Sequence, residues 1–255
     1  MIKTSVDHHL HTFFCHHASG TMEEYVLAGI ECGLEGIVFL EHLEAGINYF
    51  ETTWLSEDDF ACYHREGERL RGKYGDQINI GLGVEVGYNP ERVDELKERL
   101  ARHPWDRVGI SYHFMEISGC HYNMLSRKRE NIEAFSRAGV SRVLERYFAG
   151  LLAAITDLPG TALCHLDAVL RHHPEIVFTP DHFVQMEAIL VALANRGMVL
   201  EVNTSGFSHR NEQYPALPII QRAVELGLRL EAGSDAHRPE DVGRFFARLS
   251  SLPLS

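Results

Sequence analysis

The sequence predicts an α/β domain of the barrel type, in which parallel strands alternate with helices. Short apolar runs alternate with helical patterns along nearly the whole chain, which is typical of repeated βα units. The length of 255 residues fits one large domain, because α/β barrels commonly reach this size without subdivision. Residues able to bind metal directly follow most of the predicted strands. We therefore expect one domain over residues 1–255.

The first half of the chain contains four predicted strands, at residues up to 6, 36–40, 78–84 and 107–111. Thr21 and Glu24 have capping-box spacing, which predicts a helix that ends before Gly33. A second helix is expected from Ser56 to Gly75, and a third with Pro90 in its first turn.

The second half supplies three more strands, at 161–164, 198–202 and 228–232. Helices are expected at 132–155, from Pro180 to Gly197, at 218–226 and from Pro239 onward. Seven strands are one short of the eight-unit barrel. Residues 43–55 and 115–129 are expected to be irregular loops after strand ends, where barrel loops shape the pocket.

The charge, cysteine content and hydropathy of the chain exclude several classes of binding partner and location. The net charge of -12 argues against a general nucleic-acid groove and against an anionic membrane surface. A phosphorylated substrate is compatible with it, since bound dications would reverse the local field. Five scattered cysteines without Cys-x-x-Cys spacing indicate free thiols in a reducing compartment. With no basic-then-apolar leader and no spanning apolar run, a cytoplasmic location is expected.

Two short motifs at the ends of predicted strands suggest metal binding. His9 and His11 project to one side of an extended backbone, whereas His8 faces the other way. A pair of imidazoles on one side suits a divalent ion. The motif is echoed near the other end of the sequence, where Asp235 and His237 again share one side.

Six of the seven predicted strands end in residues able to bind metal. These residues are His9, His11, His42, Glu85, His113, His165, Asp235 and His237. Barrel strands converge at their C-terminal ends, and burying so many polar groups without a partner is very unfavourable. Eight donors exceed the capacity of one ion, so two or three divalent ions (Zn, Mn or Fe) are expected. Glu85 could bridge two of them through its two oxygens.

Taken together, these motifs resemble the PHP (polymerase and histidinol phosphatase) superfamily, and most closely its histidinol-phosphatase branch. The resemblance covers nearly the whole chain. The segments that carry it are 9–12, 14–19, 41–42, 83–85, 111–114, 164–165, 201–206, 214–215 and 233–237. It implies a distorted (β/α)7 TIM-like barrel with a trinuclear metal site.

By position, the resemblance implies three ligand sets, the first two of which share Glu85. The first set is His9, His11, Glu85 and Asp235; the second is Glu85, His113 and His165; the third is His17, His42 and His237. The chain departs from the family pattern at several positions. His16 replaces a common proline, and Gly87 stands where an aspartate is frequent. Arg171 lies one residue later than expected, and Arg210 is the arginine nearest the 203–206 turn.

The activity implied is metal-dependent hydrolysis of a small phosphomonoester, above all L-histidinol phosphate to L-histidinol and phosphate in histidine biosynthesis. A water bridging the first two ions would attack phosphorus, with Glu85, Asp235 and His237 in catalytic roles. The candidates for holding the phosphate are Arg171, Arg210 and Arg238.

Other roles and other functions stay open. His209 or His121 could protonate the leaving group, and Asp7 could orient a ligand histidine or cap a strand end. His64, His103, His172 and His173 are expected at the surface. The alternatives are a phosphoesterase for another sugar or nucleotide phosphate, an amidohydrolase-type deaminase, and a non-catalytic metal-binding module. An amidohydrolase has no use for Glu85 or for a terminal Asp-x-His.

Overall fold

Seven parallel strands form one nearly closed sheet in a computed structural model that describes residues 2–254. The strands of the sheet are β1 (Val6–Leu10), β2 (Gly36–Leu43), β3 (Asn79–Gly87), β4 (Arg107–Ser111), β7 (Ala162–Leu163), β8 (Val199–Asn203) and β9 (Leu230–Gly233), while β5 (Phe114–Ile117) and β6 (Cys120–Asn123) form a separate pair. The sheet order is β1-β2-β3-β4-β7-β8-β9, and every pairing in it is parallel. The predicted distorted seven-strand barrel is confirmed.

The barrel closes between its first and last strands. Parallel bridges join Lys3 to Glu231 and Leu10 to Ala236, and the amide of His11 donates to the carbonyl of Ala236 at 2.9 Å. Because all seven strands run in one direction, their C-terminal ends surround a single mouth.

Eight α-helices accompany the strands in the described part of the chain. They are α1 (Met22–Glu31), α2 (Glu57–Tyr74), α3 (Val93–Leu100), α4 (Arg129–Ala138), α5 (Val140–Asp157), α6 (Pro180–Arg196), α7 (Leu217–Glu225) and α8 (Phe246–Leu249). A capping box begins α1 at Thr21, as predicted, and another begins α2 at Ser56, where a helix start is expected. Within residues 2–254, none of these helices is long and apolar enough to cross a bilayer.

Three predicted helices differ in the structure. Pro90 precedes the third helix, because the Asn89 side chain and carbonyl accept the amides of Glu91 and Arg92 in a turn. The helix expected at 132–155 is two helices, interrupted at Gly139 with φ 90°. After Pro239 only a 3-10 turn follows (Pro239–Asp241), and α8 begins later.

The loop expected at 115–129 contains the antiparallel hairpin β5–β6. Its tight turn consists of Ser118 and Gly119, both with positive φ, as in a type I′ turn. The hairpin and the residues that follow it form one wall of the mouth, at Phe114 and Asn123 to Lys128.

Candidate metal centre

The sequence-predicted donors gather at the barrel mouth. A cavity of about 680 Å³ opens there. His17, His42, Glu85, His113, His165, Asp235 and His237 line it. His9 and His11 are fully buried directly beneath it. The structure thus brings together side chains from all parts of the chain, as the barrel geometry requires.

Glu85, at the end of β3, is the centre of this cluster. One carboxylate oxygen, Oε1, lies 3.1 Å from Nε2 of His113 and 2.8 Å from Nε2 of His165. The other, Oε2, lies 3.5 Å from Nε2 of His9, 3.6 Å from Nε2 of His11 and 3.0 Å from Nδ1 of His42. Each oxygen therefore faces a different set of imidazoles, as a carboxylate that bridges two ions does.

His9, His11 and Asp235 form a compact group beside Glu85. Nε2 of His9 and Nε2 of His11 lie 2.9 Å apart. Oδ1 of Asp235 lies 3.9 Å from Nε2 of His9 and 3.5 Å from Nε2 of His11. All three residues are buried. His8 points to the opposite side of the strand, toward the carbonyl of Ala232.

The third group lies nearer to solvent. Nε2 of His17 and Nε2 of His237 are 2.9 Å apart, and a nitrogen of His42 completes a set of three donors within 4.8 Å of one another. His42 also stacks on His11, with ring centroids 4.2 Å apart. It thus lies between this group and Glu85.

These donor sets fit divalent metal ions. Tetrahedral ligands at about 2.0–2.1 Å from zinc stand roughly 3.4 Å apart, close to the separations found here. The Nε2 atoms of His9 and His11, and those of His17 and His237, lie 2.9 Å apart, so each pair is close enough for both atoms to bind one cation. Among the described residues, Glu85 Oε2 is buried without a hydrogen bond, as a metal ligand without its ion would be.

Hydrogen bonds to the other ring nitrogen orient several candidate ligands. Nδ1 of His9 is 2.6 Å from Glu201, Nδ1 of His17 is 2.9 Å from the Cys15 carbonyl, and Nδ1 of His237 is 3.1 Å from the Asp235 carbonyl. In each case Nε2 is left to face the cluster, as is usual for metal-binding histidines. Glu201 also accepts the amide of His165 at 2.8 Å.

Asp7 caps backbone rather than orienting a histidine ring. Its carboxylate accepts the amides of Ser234 at 2.9 Å, Gly243 at 2.8 Å and His9 at 3.3 Å. Of the two roles that the sequence leaves open for Asp7, the structure therefore has the strand-end cap, and it ties β1 to the segment after β9.

Charge coupling within the cluster is strong. Burial raises the pKa of Glu85, but His113, His9 and His42 outweigh it and hold that pKa well below its ordinary value. Burial lowers the pKa of His113, yet Glu85 and Glu44 raise it to about 10. Burial together with His42 and His237 holds the pKa of His11 well below its usual range. The same carboxylates, Glu85 and Glu44, would attract a metal ion that takes the place of the protons on the histidines.

Two candidate ligands have unusual backbone conformations. Asp235 has φ 51° and His165 has φ 23°, both in the region that side chains other than glycine rarely adopt. Gly233 is required for close packing, because a Cβ there would lie 2.3 Å from Oε1 of Glu201 and 2.8 Å from Cβ of His9. The backbone at the end of β9 and just after it is thus constrained by its packing against the cluster.

The residues predicted to contact the substrate, Arg171, Arg210 and Arg238 at the phosphate and His209 at the leaving group, divide into two groups. Arg171 and His209 line the cavity. Nε and Nη1 of Arg171 are buried with no hydrogen-bond partner among the described residues. Burial, with Arg171 and His172 nearby, lowers the pKa of His209 to about 4.

Arg210 and Arg238 do not line the cavity. Nη2 of Arg210 donates to both carboxylate oxygens of Asp167 at 2.9 and 3.1 Å, and its guanidinium stacks on Tyr214. The charge of Arg210 is therefore already paired with that of Asp167. The carbonyl of Arg238 begins the turn after β9. His121 also lies outside the cavity wall, where its Nδ1 accepts the amide of Asn48.

Several residues at the mouth are absent from the sequence motifs. Glu44 accepts from Nδ1 of His113 at 2.8 Å, and Arg127, Lys128 and His172 line the cavity. His172 and His173 were expected at the surface. His173 is instead 4% exposed and bonds Ser136 at 2.9 Å. No local motif marks these positions, because they meet only through the fold.

Comparisons with known proteins identify relatives over most of the chain. The family model for the PHP domain matches residues 7–205. A "Probable histidinol-phosphatase" of Deinococcus radiodurans is 28% identical, over 94% of this chain and 89% of its own. A "Probable phosphatase" of Caldanaerobacter subterraneus subsp. tengcongensis is 40% identical, over 96% and 80%. The crystal structure of histidinol phosphate phosphatase from Lactococcus lactis subsp. lactis, complexed with Zn, L-histidinol and phosphate, superimposes with a TM-score of 0.76 at 24% identity, over 96% of this chain and 91% of the other.

Proposed function

The chain belongs to the PHP domain family, and on that premise we propose that it is a metal-dependent phosphatase of small phosphomonoesters. The observation that carries the proposal is the buried convergence of His9, His11, Glu85 and Asp235 on one small volume. We propose that these residues hold divalent ions together with His113 and His165, and that His17, His42 and His237 hold another near the cavity opening.

When bound, such ions supply Lewis acidity that makes water a nucleophile near neutral pH and neutralises charge on phosphoryl oxygens. Glu85 holds the two buried donor sets at a fixed separation. Glu201 fixes the tautomer and orientation of His9. Arg171 lines the cavity and two of its guanidinium nitrogens have no partner among the described residues, so its guanidinium can bind the equatorial oxygens as their charge increases.

We propose L-histidinol phosphate as the substrate. Support comes from the name of the Deinococcus relative and from the L-histidinol and phosphate bound in the Lactococcus structure. The imidazole and amine of histidinol could meet polar groups of the cavity wall, among them Glu51, Tyr49 and Asn123. A second candidate is another small phosphate ester, because the 40%-identical relative is named only as a phosphatase.

The test is phosphate release from a panel that contains L-histidinol phosphate, sugar phosphates, nucleotides and p-nitrophenyl phosphate. Elemental analysis of the same sample measures bound Zn, Mn and Fe. We expect turnover that is lost on exhaustive chelation and restored by a divalent ion. Full turnover in the chelated protein would contradict the role of the metal, and a faster rate with another ester would replace histidinol phosphate as the substrate.

A further inference from the structure

The imidazole of His113 lies between two carboxylates. Its Nε2 is 3.1 Å from Oε1 of Glu85, and its Nδ1 is 2.8 Å from Oε1 of Glu44. Glu44 directly follows β2 and is 2% exposed. Its second oxygen, Oε2, has no hydrogen-bond partner among the described residues. A buried carboxylate of this kind requires a reason, because its desolvation is unfavourable.

The space for Glu44 exists because residue 87 has no side chain. Leu43 pairs with Val86 across β2 and β3, so Glu44 lies beside Gly87. A Cβ at position 87 would lie 2.0 Å from Oε1 of Glu44 and 2.1 Å from Oε2. These contacts are far below any real separation. The carboxylate of residue 44 thus fills the volume that a side chain on residue 87 would enter.

Few other groups near His113 could take this role. Oγ of Ser111 lies 3.4 Å from Nδ1 of His113, too far for a strong bond, and it also approaches the carbonyl of Val86 at 3.3 Å. His113 is 6% exposed, so solvent offers little replacement. Without Glu44, the Nδ1–H group would be buried and poorly paired, and the opposite tautomer would become accessible.

We propose that Glu44 is the positioning residue for His113, and that Gly87 is the position that admits it. The Glu44 carboxylate accepts the Nδ1–H bond, which directs the Nε2 lone pair of His113 toward an ion shared with Glu85. The inference rests on the proposed metal centre. It implies that the carboxylate that orients His113 can come either from position 44 after β2 or from position 87 on β3, provided that the other position has a small residue.

The experiment compares Glu44→Ala, Gly87→Asp and the double variant Glu44→Ala/Gly87→Asp. The exposed Glu98 of α3, which pairs with Arg102, supplies the matched carboxylate control Glu98→Ala. Zinc content is measured by elemental analysis after competition with a chelator, and the absorption spectrum of the cobalt-substituted protein reports the ligand field. Circular dichroism and Tm report folding.

We expect Glu44→Ala to weaken retention of zinc by about 10–100-fold, the usual effect of losing such a hydrogen bond. Gly87→Asp alone is expected to lower Tm and to lose metal, because its side chain collides with Glu44. The double variant is expected to retain zinc better than either single variant, since the carboxylate now comes from β3. Glu98→Ala is expected to match the wild type.

Retention of zinc by folded Glu44→Ala at the wild-type level would overturn the inference while leaving the phosphatase proposal intact. A double variant no better than its parents would overturn the exchange between positions 44 and 87. Glu44→Leu, which fills the volume but offers no acceptor, serves if Glu44→Ala does not fold, and unaltered zinc retention and cobalt spectrum in it would also overturn the inference. A wild-type protein that takes up no metal would overturn both proposals.

Discussion

Replacement of Arg171 by methionine separates substrate binding from stability. Two guanidinium nitrogens, Nε and Nη1, are buried at the cavity wall without a partner. Methionine keeps most of the apolar stem and removes the charge and the donors. The variant therefore tests whether these nitrogens serve a phosphoryl group.

The magnitude follows from the hydrogen bonds lost in the transition state. A hydrogen bond to a charged group contributes about 1.5–3 kcal/mol, so two contribute about 3–6 kcal/mol. At about 1.4 kcal/mol for each factor of ten, kcat/KM should fall by roughly two to four orders of magnitude. Stability should respond in the opposite direction. Since a buried unpaired donor is unfavourable by about 1–3 kcal/mol, the free energy of unfolding of the substrate-free variant should be unchanged or higher.

The assay is steady-state phosphate release with L-histidinol phosphate, together with urea unfolding and metal analysis of the same preparation. Arg171→Lys is the matched variant, because it keeps the charge but loses the planar donor pair, and an intermediate rate is expected. A kcat/KM within threefold of wild type in a folded, metal-loaded Arg171→Met would refute the assignment. Loss of stability instead of activity would show that Arg171 serves the fold.

Three further variants probe the metal centre. Asp235→Asn should lower bound metal and reduce the rate by orders of magnitude while circular dichroism stays unchanged; near-normal activity would remove Asp235 from the ligands. Glu201→Gln should weaken metal retention by about 10–100-fold in a chelator titration, because Nδ1 of His9 loses its charged acceptor, and an unaltered titration would argue that the contact is incidental. Gly233→Ala should reduce the free energy of unfolding by about 1–3 kcal/mol in a denaturant titration, because its Cβ meets Glu201 and His9; wild-type stability would mean that this packing can relax.

The barrel and its strand ends could be predicted from sequence because both have local signals. Apolar runs bounded by helix caps mark the strands, and parallel strands in a closed sheet necessarily bring their ends together. The strand ends therefore placed residues as distant in sequence as His9 and Asp235 at one mouth. Their assignment as metal ligands stays a prediction.

The hairpin β5–β6 was missed for a physical reason. Its strands have four residues each, and Ser118 occupies a turn position with φ 55° that more often belongs to asparagine or glycine. The sequence around Gly139 likewise predicts one continuous helix, whereas its φ of 90° ends α4 and α5 begins after it.

The supporting contacts could not be predicted because they depend on packing between strands. Glu44 and His113 are 69 positions apart and meet through a register that no local pattern specifies. The same holds for Arg210, whose charge suggested phosphate binding. Its ion pair with the buried Asp167 became visible only in three dimensions.

The position of the metal centre at the junction between β1 and β9 suggests that it also stabilises the fold. Asp7 binds the amide of Ser234 across 227 positions of sequence, and the candidate donors His9 and Asp235 stand on opposite sides of that junction. An ion bound by both residues would join β1 to β9. These strands are the farthest apart in the sequence, and contacts between distant residues form slowly during folding. Loading with metal would then protect the amides along this junction from hydrogen exchange more than those in the middle of the sheet. The metal centre that we propose for phosphate hydrolysis would thus also stabilise the closed barrel.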